Sequence, residues 1–295
     1  MGNAKGEVGF SGDLVADVMR SPKVHKARGI RTPFGRVFFT RDKGESTMFA
    51  NQWFSTNLTA RKFDGDGKLV HEYDLGSGLV TNVGVLSMAN DYAWAGVSAA
   101  PQATLALSNY HSVGTGATAA AATDVQMQTL AAPTTTTAQT GTQSLGSAAN
   151  SQSYRTVATV SFGSTLAITE WGLHNAATLS ATTGTPFTAT SATTATATAT
   201  PWTASSTTVK GTPQSLVIRP GTTTVWGLAL SNTTSVATIP AWYTVASGAA
   251  GSTPGGTEAF TLQPVLWDRK VFSAINVVNG DSIQFTYTLA VNSGG

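Results

Sequence analysis

The chain has 295 residues, of which only 11% are Asp, Glu, Lys or Arg against roughly 25% in an ordinary soluble domain, while 41% are hydrophobic. That length accommodates two compact units or one large β domain with extensions, and so few charges leave a Thr-, Ser-, Ala- and Gly-rich surface suited to packing against copies or partners. Cysteine is absent, which excludes a disulfide framework, a thiolate nucleophile and a Cys-ligated metal or iron–sulfur centre.

The opening Met1-Gly2-Asn3-Ala4-Lys5 lacks the apolar run of a secretory signal, and no window of about eighteen apolar residues follows, so neither signal-peptide export nor a membrane span is expected. Gly2 satisfies the first requirement of N-myristoylation, but Gly6 stands where that motif needs Ser or Thr. Ser11 is placed to cap a short helix with Leu14, Val15, Val18 and Met19 on one side.

Residues 1–90 hold 12 basic and 9 acidic residues and residues 91–295 hold 5 and 6, so the net +2 is +3 from the front and −1 from the rest. The stretch Arg20 to Arg41 has seven bases and no acid, and Pro22, Gly29, Pro33 and Gly35 break any continuous helix there. Residues 1–45 are therefore expected to form an extended basic N-terminal arm. The small net charge speaks against nucleic acid as its partner, and a solvated tail is the bland alternative. Arginines and aromatics together favour docking onto an acidic protein surface, through Arg20, Lys23, Lys26, Arg28, Arg31, Phe34 and Arg36.

From about Val37 onward the signals are strands separated by turns rather than helices. Asp64-Gly65-Asp66-Gly67 imitates the start of a calcium loop, but Lys68 and Leu75 fill the fifth and twelfth positions, where oxygen ligands are required. A hairpin turn is the better reading. His71-Glu72 is followed by Leu75 where a zincin needs its second histidine, and His25, His71, His111 and His174 are scattered singly. No serine-hydrolase elbow, phosphate loop or dinucleotide fingerprint occurs. The expectation is a non-enzymatic chain with no catalytic residues, cofactor or metal.

Strands are predicted at Tyr154–Phe162, Leu166–Leu173, Val225–Leu230 and Leu266–Phe272, all rich in β-branched and aromatic residues. Trp171-Gly172-Leu173 and Trp226-Gly227-Leu228 repeat a three-residue core, read as two strands that each need an aromatic anchor and a close-approach glycine. Residues 178–208 include 14 Thr in 31 positions, punctuated by Pro186, Phe187, Pro201 and Trp202, and read as strands and loops of an insertion. Asn279-Gly280-Asp281 is a turn, and Ser282 to Val291 alternates with Ile283, Phe285, Tyr287, Leu289 and Val291 on the buried face. The predicted fold is all-β: an antiparallel β-sandwich or jelly-roll-like domain (46–179 plus 263–295) with an inserted second β unit (180–262) and the N-terminal arm (1–45).

Leu166-Ala-Ile-Thr-Glu-Trp-Gly-Leu-His-Asn175 and the run from Leu266 through Asp268-Arg269-Lys270-Val271-Phe272 to Leu289 resemble a pattern met in structural proteins of tailed bacteriophages. There a strand like Ile-Thr-Glu-x-Gly-Leu is followed by one like Asp-Arg-x-Val-Phe and by a closing alternating strand. In those proteins a short turn joins the first two strands, whereas about ninety residues intervene here. The resemblance covers about a third of the chain. It implies a virion component, first of all a capsid decoration or cement protein that docks on the major capsid protein or other virion proteins and associates with its own copies, most simply as a trimer. A tail or baseplate fibre is the alternative, with Trp202, Trp226 and Trp242 meeting a receptor; from another class, a carbohydrate-binding module would stack sugars on some of the seven Trp residues.

Overall fold

The computed structural model describes residues 4–7, 13–16, 28–31, 37–40, 52–93, 108–148, 151–179, 186–191, 194–197, 215–218, 225–229, 231–232, 236–239, 241–254, 257–259 and 261–293. Strands predominate among the described residues, with one helix of 12 residues, which establishes the all-β class. In chain order the strands are β1 (Ala4–Glu7), β2 (Asp13–Ala16), β3 (Arg28–Arg31), β4 (Val37–Thr40), β5 (Gln52–Phe63), β6 (Leu69–Gly76) and β7 (Leu79–Val80), then helix α1 (Asn82–Ala93). There follow β8 (Tyr110–Gly114), β9 (Gln139–Thr140), β10 (Thr142–Ala148), β11 (Ser151–Ser161), β12 (Leu166–His174), β13 (Pro186–Ser191), β14 (Thr194–Ala197), β15 (Ser215–Ile218) and β16 (Val225–Ala229). The last are β17 (Ser231–Asn232), β18 (Val236–Thr238), β19 (Trp242–Thr244), β20 (Thr257–Ala259), β21 (Thr261–Pro264), β22 (Leu266–Val277) and β23 (Ser282–Ser293).

Among the described residues three sheets have five strands, in the orders β10-β11-β23-β5-β6, β7-β22-β12-β8-β9 and β17-β18-β14-β13-β20, one has four, β19-β16-β15-β21, and two have two, β1-β2 and β3-β4. Chain contacts divide the protein into two compact units, one of residues 1–57, 143–155 and 287–295 and the other of 58–142 and 156–286. The alternation of β23 sets its phase: Ile283, Phe285, Tyr287 and Leu289 are buried while Gln284, Thr286 and Thr288 are half-buried. Trp171 and Trp226 are buried anchors. The glycines after them face Met127 and Leu266 (Gly172) or Ile239 and Trp242 (Gly227) so closely that a β-carbon would collide. The Thr/Ala-rich stretch supplies strands β13 and β14, which pair antiparallel from Phe187 opposite Ala197.

Two expectations are corrected. Leu14 and Val15 lie on a strand, not a helix, with β2 paired antiparallel to β1 from Ala4 opposite Ala16 to Glu7 opposite Asp13. An isolated helix of two or three turns is marginal in water, and strand pairing satisfies the same backbone groups. The connection after β7 is a helix rather than a turn. Thr81 caps it, accepting the Gly84 N–H at 3.0 Å while its hydroxyl donates to the Leu266 carbonyl at 2.6 Å. Val83, fully buried, joins Val125, Trp226, Leu228 and Val265 in one apolar cluster, against which Leu86 also packs.

Candidate functional site

Of the predicted docking residues, Arg28 and Arg31 lie on β3, which pairs with β4 from Arg28 opposite Thr40 to Arg31 opposite Val37. Arg20, Lys23, Lys26, Phe34 and Arg36 lie outside the described residues, as do Trp202 and His25. The assignment of Trp226 and Trp242 to surface recognition is corrected: they are 2% and 3% exposed. Trp226 stacks on Tyr243 with ring centroids 4.7 Å apart, inside the cluster that includes Val83 and Val125. Burial of these rings stabilises the sheet and leaves no face for a sugar or receptor.

The calcium-like segment is a turn, as read. Asp64 Oδ1 accepts the backbone N–H groups of Asp66 and Lys68 at 3.1 and 2.9 Å, and Gly67 takes a φ of 77°, the left-handed conformation that favours glycine. Among the described residues no group of three or more potential ligands gathers to hold a metal ion.

The densest polar constellation lies on β8, β12 and β22. Glu170 on β12 is fully buried and Arg269 on β22 is 2% exposed. Arg269 donates from all three guanidinium nitrogens: Nε to Glu170 Oε1 at 2.6 Å, one terminal nitrogen to Asp124 Oδ2 at 2.6 Å, and the other to the Thr118 carbonyl at 3.1 Å. Glu170 also accepts the N–H groups of Gln128 and Thr129, at 2.7 and 3.1 Å, and Asp124 accepts that of Ala121 at 2.7 Å. Burial alone would lower the Arg269 pKa, but the hydrogen bonds to Asp124 and Glu170 outweigh it and the net shift is upward. The network fastens residues 115–131, which lack regular structure apart from one bridge, across two neighbouring strands. Thr169 Oγ1 adds a bond to the Gly116 carbonyl and Gln263 Nε2 one to the Val125 carbonyl.

A second set is built on histidines that stand singly in the sequence. Trp171 Nε1 donates to His111 Nδ1 at 3.1 Å, and His111 Nε2 meets Thr156 Oγ1 at 3.1 Å. Accepting from the indole fixes His111 as the neutral tautomer with its proton on Nε2, so it donates to Thr156. Thr156 lies on β11, so the bond joins two sheets. Burial, and then the neighbouring His174, lower the His111 pKa to about 3, and burial lowers that of His174 to about 3. His174 Nε2 lies 2.8 Å from Ser112 Oγ, the spacing of a nucleophile and its base. Both are buried, however, and among the described residues nothing pairs with His174 Nδ1. A cavity of about 340 Å³ beside Leu79, Ala117, Arg269 and Lys270 does not include either residue.

Glu170 and Arg269 are 99 positions apart, so no spacing rule could join them. One signal is present: Glu170 is the one charge between Ile168 and Leu173, and Asp268-Arg269-Lys270 interrupts an otherwise apolar run from Val265 to Phe272, where a buried charge demands a partner of opposite sign. No protein-family model, curated protein or solved structure matches the chain.

Proposed function

We propose that the chain is a non-enzymatic structural protein of a tailed-phage virion, with capsid decoration or cement as its role, docked through its basic N-terminal segment on the major capsid protein or another virion protein. The observation that carries the reading joins the two strands of the phage-like pattern. β12 and β22 are antiparallel neighbours, with Gly172 opposite Arg269 and Leu173 opposite Asp268. The Glu of Ile-Thr-Glu and the Arg of Asp-Arg are each other's buried partners. A pattern split by about ninety residues therefore makes sense as one clamp whose halves must be kept together. A body with few surface charges suits a subunit covered by neighbours. Burial of Trp226 and Trp242 weighs against the receptor and carbohydrate readings.

The test is localisation in purified particles by cryo-electron microscopy with antibody labelling. Density on the head shell supports decoration; density confined to the tail, or absence from particles, overturns it. Removing residues 1–35 is expected to leave a soluble β protein that no longer enters particles, with docking of the full chain weakened at 1 M salt, where screening shortens to roughly 3 Å.

A further inference from the structure

Among the described residues the sheet β10-β11-β23-β5-β6 ends in two strands of opposite character. β6 carries His71, Glu72 and Asp74, and its pairing with β5 shifts register twice, leaving Val70 and Leu75 as extra residues. Charges and bulges are how edge strands are kept from pairing with other chains. β10, Thr142-Gln-Ser-Leu-Gly-Ser-Ala148, carries no charge and no proline over its seven residues. At its centre Leu145 is 84% exposed, more than any other large hydrophobic among the described residues. Thr142, Gln143 and Ser144 are exposed too.

We propose that the outer edge of β10 is an interface for a second copy of this chain, β10 pairing antiparallel with β10 about a two-fold axis at Leu145. Directly opposed residues of an antiparallel pair lie on the same face and point their backbone groups the same way, so self-pairing centres on a residue. Centring on Leu145 sets Leu145 against Leu145, Ser144 against Gly146 and Gln143 against Ser147. The two exposed leucines then bury each other, large side chains meet small ones, and no like charges meet. Centring on Ser144 or Gly146 sets Leu145 against Gln143 or Ser147 and leaves it without an apolar neighbour across the strands. The pairing closes on itself, and a three-fold assembly would need a different surface. It does not depend on the virion reading. Stable dimers bury about 1,200–2,000 Å², more than one seven-residue edge supplies, so association is concentration-dependent.

Sedimentation velocity of the full chain from about 5 to about 200 μM is expected to show a monomer–dimer equilibrium. Leu145→Lys is expected to raise the dissociation constant about tenfold or more, while Val70→Lys on the β6 edge leaves it unchanged. Because the chain has no cysteine, Leu145→Cys gives a disulfide-linked dimer on mild oxidation only if the two sites meet; Val278→Cys, at a residue 52% exposed, is the collisional control. Both cysteine variants replace exposed side chains, and an unchanged unfolding midpoint verifies the fold. A strict monomer at the highest concentration, a dimer indifferent to Leu145→Lys, or equal cross-linking at both cysteines would overturn the interface.

Discussion

Two regions of the larger unit are held together by different physics. Around β8, β12 and β22 the interior mixes polar groups with apolar ones: Glu170, Arg269, His111, His174 and Ser112 are all buried on the same strands as buried Ile168, Trp171, Leu173 and Trp267. Around β15, β16 and β19 it is apolar, with Val225, Trp226 and Leu228 buried and Tyr243 stacked on Trp226. A buried ion pair adds little net stability over an apolar replacement, but losing one partner leaves an uncompensated charge. A slip of β22 against β12 would separate Arg269 from Glu170, so the polar region specifies one register, whereas the apolar region is specified by shape and area. The first should therefore answer to pH and charge, the second chiefly to volume.

Acid is expected to give the largest difference. His111 and His174 are neutral when folded, with pKa values of about 3, against about 6.5 unfolded. The unfolded chain takes up protons first as pH falls, so stability is flat above about 6.5 and declines below it by roughly 1.4 kcal/mol per pH unit for each histidine, down to about 3. Protonating His111 also sets an N–H against the Trp171 N–H. Hydrogen-exchange protection factors at pH 7 and pH 4 should fall first in β8 and β12; earlier loss in β15 and β16 would break the comparison.

Next in size is Arg269→Ala, expected to cost about 3–5 kcal/mol because Glu170 loses its buried partner. The double variant Glu170→Gln with Arg269→Met should cost less than the sum of its parts by urea denaturation, and strict additivity would mean that the two side chains act independently. In the apolar region Leu228→Ala should cost about 2–5 kcal/mol. That loss should be the same at pH 7 and pH 5, whereas the polar region has begun to weaken by then.

Legibility in the sequence follows the same divide. The alternation from Ile283 to Leu289 and the turns at Asp64 and Asn279 could be read because periodicity and turn chemistry are local. Helix α1 could not: its predecessor Thr81 is a good cap, but Asn82-Val83-Gly84-Val85 is a poor helix opening, and tertiary packing of Val83 and Leu86 decides the outcome. The burial of Trp226 and Trp242 could not be read either, because burial depends on what covers a strand. Glu170, Arg269 and Asp124 converge from two strands and an irregular segment, and His111 finds Thr156 across 45 residues. Such convergence is a property of topology, which a linear pattern does not carry.

The smallest expected effect calibrates the rest. Asp64 in the β5–β6 turn accepts two backbone N–H groups, as many as Glu170 does, but in an exposed setting. Water can replace the lost carboxylate in Asp64→Ala, so the cost should be about 0.5–1 kcal/mol, the net worth of an ordinary hydrogen bond. Arg269→Ala removes the cation beside Glu170, which is fully buried, and the several-fold difference between the two variants measures what burial adds. Equal urea midpoints for Asp64→Ala and Arg269→Ala would mean that solvent enters the β12–β22 network, and the distinction between the polar and apolar regions would then rest on the histidines alone.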